Sequence, residues 1–222
     1  MTHIDRGTID YKDELVRKLI HLTSMLIPII YYFIPKLDAL VVLGSLVIFA
    51  ITLDLSRYFS PQIAKVFYKI FGFLLRKHEV DKEKKNLNGA TYILISAFIG
   101  VFIFPKVIFI TAFSILIIGD SMAALIGRKY GKNKFLFKSL EGTLTFFISS
   151  CIVVLFVPKV RYFQEEYLFG FIVAFIGAIT ENISYKFVDD NLSIPFAVGF
   201  SLWILYVIFL SNLELTLLQV PG

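Results

Sequence analysis

Two carboxylates stand in stretches that are otherwise apolar. Asp120 lies in Ile118-Gly119-Asp120-Ser121-Met122-Ala123-Ala124, and Glu181 in Thr180-Glu181-Asn182 at the end of a long hydrophobic run. An ionisable group inside such a run is costly to keep there and marks a functional site by default. Small residues accompany both acids at helical spacing. Gly119, Ala123 and Gly127 form one stripe, and Gly170, Ala174, Gly177 and Ala178 lead to Glu181. Such stripes let helices approach closely, which turns the carboxylates inward.

The remaining polar residues fall in clusters at the ends of apolar runs. These are Arg17, Lys18 and His21; Asp54 and Arg57; Asn88, Gly89 and Thr91; Arg128, Lys129, Lys132, Lys138, Ser139, Glu141 and Gly142; and Lys186, Asp189, Asp190 and Asn191. Cations and carboxylates gathered together suit a phosphate substrate with a divalent metal. Mg²⁺ takes one or two carboxylates and keeps phosphate oxygens as further ligands. Asp120, Asp189 and Asp190 are the expected metal carboxylates. Arg128, Lys129, Lys132 and Lys138 can neutralise a polyphosphate, with Arg17, Lys18 and Asn88 as further candidates for phosphate or nucleotide contact. Ser139-Leu140-Glu141-Gly142 reads as a capped helix start whose free amides also favour phosphate. Phosphoryl transfer relies mainly on positioning and charge stabilisation, so this inventory suffices in kind. No GxxxxGK[ST] or GxGxxG sequence is present, no Cys/His cluster suggests zinc, and the single Cys151 has no cysteine to pair with in the chain.

The elements that must hold these residues are membrane helices. The 222-residue chain is 57% hydrophobic and 18% charged. That excess is carried by seven runs, about 19–35, 38–54, 89–105, 107–127, 142–158, 166–184 and 192–211, each near the length a helix needs to cross a bilayer. The expected fold is an all-α polytopic bundle of about seven spans, a single integral membrane domain over 1–222, with no nucleic-acid partner. The first run lacks a cleavage pattern and is read as a retained span. Eighteen Lys and Arg residues fall on one side of the alternating connections and four on the other. By the positive-inside rule the N-terminus is cytoplasmic, and every polar cluster falls on the cytoplasmic side. A transporter would place its key polar groups near the midplane, whereas these form a one-sided chamber. Between the second and third runs, Ser60-Pro61 opens a segment near 61–75 in which Val66, Phe67, Ile70, Phe71 and Leu74 recur at helical spacing. It reads as an interfacial amphipathic helix, followed by a charged loop over 76–85.

Four pieces together resemble the polyprenol kinase family: dolichol kinase, phytol kinase and the CTP-dependent diacylglycerol kinase. They are Glu14-Leu15-Val16-Arg17-Lys18-Leu19-Ile20-His21; Gly119-Asp120-Ser121-Met122-Ala123-Ala124 continuing to Gly127-Arg128-Lys129-Tyr130-Gly131-Lys132; Lys138-Ser139-Leu140-Glu141-Gly142-Thr143; and Asp189-Asp190-Asn191-Leu192-Ser193-Ile194-Pro195. The resemblance implies a kinase that uses CTP, with Mg²⁺, to phosphorylate the hydroxyl of a membrane lipid. It makes Asp120 and Asp190 the leading metal or phosphate-site carboxylates and gives the triphosphate to Arg128, Lys132 and Lys138; by their depth and chemistry, Glu181 or His21 is the candidate to assist deprotonation of the lipid hydroxyl. The phosphatidate cytidylyltransferases are more distantly similar. Ser184, Lys186 and Asp189 match the start of their later signature, but Ile194-Pro195-Phe196 follows where they carry His-Gly-Gly. The alternatives are a cytidylyltransferase forming a CDP-lipid and a non-enzymatic transporter or scaffold.

Overall fold

A computed structural model describes residues 10–72, 87–184, 189–217 and 220. The architecture is an all-α bundle with one short hairpin. In chain order the elements are α1 (Tyr11–Thr23), α2 (Leu26–Phe33), α3 (Lys36–Phe59), α4 (Pro61–Phe71), α5 (Gly89–Ile103), α6 (Lys106–Tyr130), β1 (Lys134–Phe135), β2 (Lys138–Ser139), α7 (Leu140–Phe156), α8 (Gln164–Ser184) and α9 (Asp190–Phe209).

α6 is the hub. It packs against α1, α2, α5, α7, α8 and α9, while α3 packs on α5 and α4 at the periphery. From Val107 to Ile117 every residue of α6 is buried. Small residues set the helix spacing as the sequence stripes require. A Cβ added at Gly119 would lie 2.8 Å from the Phe146 ring, and one at Gly170 would lie 2.4 Å from Val154 Cγ1. Gly127 and Gly142 meet backbone to backbone, a Cβ on the first standing 3.2 Å from the Cα of the second. The outward faces carry apolar side chains such as Val41, Ile48, Phe49, Phe156 and Phe175, the surface a lipid solvent demands.

Four of the helix starts at the charged end are capped by their own side chains, satisfying amides the helix leaves free. Ser60 accepts from Ile63 N (3.5 Å), Asn88 from Thr91 N (3.0 Å), Ser139 from Gly142 N (3.2 Å) and Asp189 from Asn191 N (2.9 Å).

The expected run at 19–35 begins earlier and is broken. The helix starts at Tyr11, well before the apolar stretch, and is interrupted at Ser24-Met25. Pro28 has no N–H to give to the Ser24 carbonyl, so the chain tightens there through Ser24 N to His21 O and Met25 N to Leu22 O, each 3.0 Å. Among the described residues five helical stretches are long and apolar enough to cross a membrane, counting α1–α2 as one, where seven runs are expected; the runs at 89–105 and 142–158 form shorter apolar helices, Gly89–Ile103 and Leu140–Phe156. The helix expected near 61–75 is present as α4. Leu74 and the charged run at 76–85 lie outside the described residues. Phe67 departs from the expected lipid-facing stripe. It is 5% exposed, with the Arg57 guanidinium 4.8 Å over its ring, whereas Val66 is 59% exposed.

The loop after α6 holds a hairpin that the all-α expectation omitted. β1 and β2 pair antiparallel, Lys134 with Ser139 and Phe135 with Lys138, around a turn in which Leu136 takes φ 49°.

Candidate active site

The charged side chains gather at one end of the bundle in two adjoining clusters. The first joins α1 to α6. Glu14, Lys18 and His21 fall at i, i+4 and i+7 of α1, one face of a helix, and all three are buried. Lys18 Nζ donates to Asp120 Oδ2 of α6, and His21 Nε2 lies 3.6 Å from the same oxygen. Nearer the helix ends, Glu14 receives Arg17 Nε at 2.9 Å and the Arg128 guanidinium at 3.4 Å. The run is antiparallel: α1 descends from Glu14 to His21 while α6 climbs from Asp120 to Arg128.

The second cluster is built on Lys138 of β2. Its ammonium donates to Glu181 Oε1 of α8 (2.6 Å) and to Asp190 Oδ2 at the start of α9 (3.2 Å). Burial pulls this ammonium down, but the carboxylates of Asp190 and Glu181, with Asp120 beyond them, hold it above the ordinary lysine value of 10.5.

Asn182 fixes the hairpin that delivers Lys138. Its side-chain oxygen accepts from Phe137 N (2.8 Å) and Lys138 N (3.3 Å), and its amide donates to Phe135 O (3.0 Å) and Thr143 Oγ1 (2.7 Å).

Of the residues expected from sequence, the structure brings Arg17, Lys18, His21, Asp120, Arg128, Lys138, Glu181 and Asp190 into these clusters. Ser139 caps α7, directly behind Lys138. Gly142 gives α7 its close approach to Gly127. Glu141 turns back to Asn133, accepting from its side chain at 2.9 Å and from its backbone N–H at 3.2 Å, and so closes the loop between α6 and α7. Asn88 caps α5 and gives its N–H to Asp54 Oδ2 at 2.6 Å. Asp189 Oδ1 is engaged with the Asn191 backbone and side chain (2.9 and 2.8 Å). Lys129 and Lys132 are exposed, the former 5.1 Å over the Tyr130 ring. Lys186 lies outside the described residues.

Sequence reasoning left out of the site Glu14 and Asn182, and it noted Asp54 and Arg57 only as the end of a run. Asp54 and Arg57 pair at 3.0 Å, and Asp54 also accepts from Thr91 Oγ1 at 3.1 Å, tying α3 to the start of α5. Glu14 carried a legible signal, four residues before Lys18 and so on the same helical face.

A Mg²⁺ ion fits the donor set of the second cluster. Among the described residues no three His, Cys, Asp or Glu side chains form a metal-binding group. Two buried carboxylate oxygens, Glu181 Oε2 and Asp190 Oδ1, nevertheless have no hydrogen-bond partner there. Two such oxygens are what Mg²⁺ takes when phosphates and water complete its shell. Glu181 and Asp190 each give one oxygen to Lys138 and keep the other unpartnered, whereas Asp189 caps α9, so of the expected metal carboxylates Asp190 is the one this observation favours, with Glu181 beside it.

Comparison with known proteins decides what this arrangement belongs to. A protein of Rickettsia prowazekii of uncharacterised function is 31% identical over 193 residues, covering 85% of this chain and 92% of its own. The CTP-dependent diacylglycerol kinase 1 of Schizosaccharomyces pombe is 28% identical over 201 residues, covering 83% of this chain and 89% of its own. The chain belongs to the polyprenol kinase family. A probable phytol kinase 2 of Glycine max is also similar, 29% identical over 174 residues, or 71% of this chain and 58% of that relative. No protein-family model and no solved structure matches the chain. As a member of the polyprenol kinase family it is an integral membrane lipid kinase, and the two charged clusters are its candidate active site.

Proposed function

We propose that this polyprenol kinase family member transfers the γ-phosphoryl group of CTP to the hydroxyl of a membrane lipid alcohol, a polyprenol or dolichol, phytol or diacylglycerol, at the cytoplasmic face. The observation that carries the reading is the Lys138–Glu181–Asp190 cluster, with its two unpartnered carboxylate oxygens, standing beside Lys18, His21 and Asp120 at one end of an apolar bundle. Relatives named CTP-dependent diacylglycerol kinase and phytol kinase supply the nucleotide and the class of acceptor.

The roles follow from charge and geometry. Lys138 neutralises the phosphoryl group being transferred, and Arg17 and Arg128, held together on Glu14, neutralise the rest of the triphosphate. Glu181 and Asp190 would hold Mg²⁺, which would supply positive charge at the phosphates. His21 accepts the proton of the lipid hydroxyl, and the adjacent Asp120 carboxylate stabilises the imidazolium that results. The hydroxyl oxygen forms its bond to the γ-phosphorus as the bond to the β-phosphate oxygen breaks. The products are a lipid monophosphate and CDP. The lipid tail stays in the bilayer along the apolar helix faces.

The test is product analysis. Detergent-solubilised protein is incubated with CTP or ATP, Mg²⁺ and polyprenol, phytol, diacylglycerol or phosphatidate. The reading expects one of the alcohols to become a monophosphate with release of CDP. A CDP-lipid with pyrophosphate would overturn it in favour of cytidylyl transfer, and phosphorylation that prefers ATP would remove CTP from it.

A further inference from the structure

Asn182 is fully buried beside Glu181, yet it faces the hairpin and not the carboxylate cluster. Its four hydrogen bonds use its whole carboxamide. Both N–H groups donate, and the carbonyl accepts twice. Three of the four partners belong to the hairpin turn: Phe135 O, Phe137 N and Lys138 N. The fourth, Thr143 Oγ1, sits on the first turn of α7 and itself donates to Ser139 O at 3.2 Å. One side chain therefore clamps the strand carrying Lys138 from both edges and ties it to the cap of α7.

A two-residue strand pair is far too short to hold its own geometry. The left-handed turn at Leu136 adds a conformation that a leucine adopts reluctantly. Lys138 must nevertheless place its ammonium between carboxylates from two other helices, and a flexible four-carbon stem does so reproducibly only from a fixed backbone.

We propose that Asn182 is a positioning residue for phosphoryl transfer, fixing the hairpin amides and through them the place of the Lys138 ammonium between Glu181 and Asp190. This rests on the reading of Lys138 as a phosphate-binding group. Asn182 touches neither substrate. Its effect reaches the reaction only through Lys138, so removing it should act like moving Lys138, and should do nothing further once Lys138 is gone.

Two measurements on the full-length protein in detergent test this. The first is amide hydrogen exchange in Asn182→Ala. Exchange at Phe137 and Lys138 should accelerate about tenfold or more, with the spans unchanged. The second is a kinetic cycle. Asn182→Ala should raise KM for CTP and lower kcat, together costing about 10- to 100-fold, while KM for the lipid stays put. Asn182→Ala added to Lys138→Ala should change the residual rate by less than about twofold. Thr143→Val, which removes one partner of four, should give a smaller loss of the same kind. Unchanged exchange at the hairpin would overturn the proposal, as would losses from Asn182→Ala and Lys138→Ala that multiply. If the wild type phosphorylates no lipid, the kinase reading fails, and the exchange experiment decides the positioning claim by itself.

Discussion

Lys18 and Asp120 are both out of water, and each is tolerable there only because of the other. Their side chains are 1% and 8% exposed. Breaking such a pair from one side leaves an uncompensated charge, which costs about 3–5 kcal/mol, whereas replacing both partners by apolar groups is often close to neutral. Asp120→Asn should therefore lower the unfolding midpoint in detergent and reduce turnover by about 100-fold or more. The double substitution Lys18→Met with Asp120→Leu should recover most of the stability and none of the activity. Recovery of both would make the pair structural only. Lys138 offers a pH test. Its proton is held above 10.5 by Asp190 and Glu181 against burial, so the stabilisation it contributes is fully present below 10.5 and is lost only as pH rises through the higher folded value. Nucleotide affinity should thus be insensitive to Lys138 between pH 6 and 9. In Asp190→Asn one counter-charge is gone, and the alkaline fall in CTP affinity should move to lower pH; an unmoved limb would contradict the pairing. Asp120 and Glu181 were legible in the sequence because a carboxylate in an apolar run has no ordinary reason to be there. Asn182 was not. A buried asparagine declares itself only through partners 39 to 47 residues away, and those become neighbours only in the fold.

At the scale of elements, a repeated turn closes the end of the bundle opposite the site. Ile34-Pro35-Lys36, Phe104-Pro105-Lys106 and Val157-Pro158-Lys159 each follow the last turn of an apolar helix. Each lysine serves helix-terminal carbonyls. Lys36 donates to Phe102 O (3.0 Å), Lys106 to Ile34 O (2.8 Å), and Lys159 to Val154 O and Val157 O (2.6 and 2.8 Å). The first two form a reciprocal staple between the α2–α3 and α5–α6 turns, and a cation at a helix C-terminus is favourable. Near Lys159, Glu166 gathers Val160 N, Arg161 N, Phe163 N and Tyr206 Oη at 2.7 to 3.0 Å, closing the α7–α8 loop. Burial nevertheless pulls the Lys159 ammonium down to about 8, with Glu166 opposing. The unfolded chain then holds the extra proton between about 8 and the ordinary 10.5, so this group makes stability rise with pH across that window. The unfolding midpoint of Lys159→Met should lack that rise; an identical profile would place the lysine in water. Helix contact gives a second test. Gly170→Ala puts a methyl into Val154 and should destabilise by about 1–3 kcal/mol, and Val154→Ala in the same chain should restore much of the loss. The spans were readable because apolar length is a property of one segment. The helical stretch of α1 before its apolar run, and the hairpin, were not, because α1 is held by α6 and the hairpin by α8, contacts that no local periodicity contains.

The molecule as a whole is asymmetric. Its long central helix α6 spans about 37 Å at 1.5 Å per residue, while α5 and α7 span only about 22 and 26 Å. Both short helices begin at the charged end, at Asn88 and Ser139, and finish at the opposite one. α7 begins level with the end of α6, Ser139 lying against Gly131 and Gly142 against Gly127. The charged end of the bundle holds Asp120, Lys138, Glu181 and Asp190, with Arg17 and Arg128 nearer the helix ends. We propose that these residues form one polar site, reached by the lipid hydroxyl from the bilayer side and by the triphosphate from water past Arg17 and Arg128. Its most direct test follows the γ-phosphorus. With γ-labelled CTP, Mg²⁺ and the lipid alcohol that the wild type accepts, label should appear in the lipid. It should fall by at least about 100-fold in Lys138→Met, with the protein still folded by its thermal midpoint. Label transferred undiminished by Lys138→Met would contradict the account and move the chemistry elsewhere in the bundle.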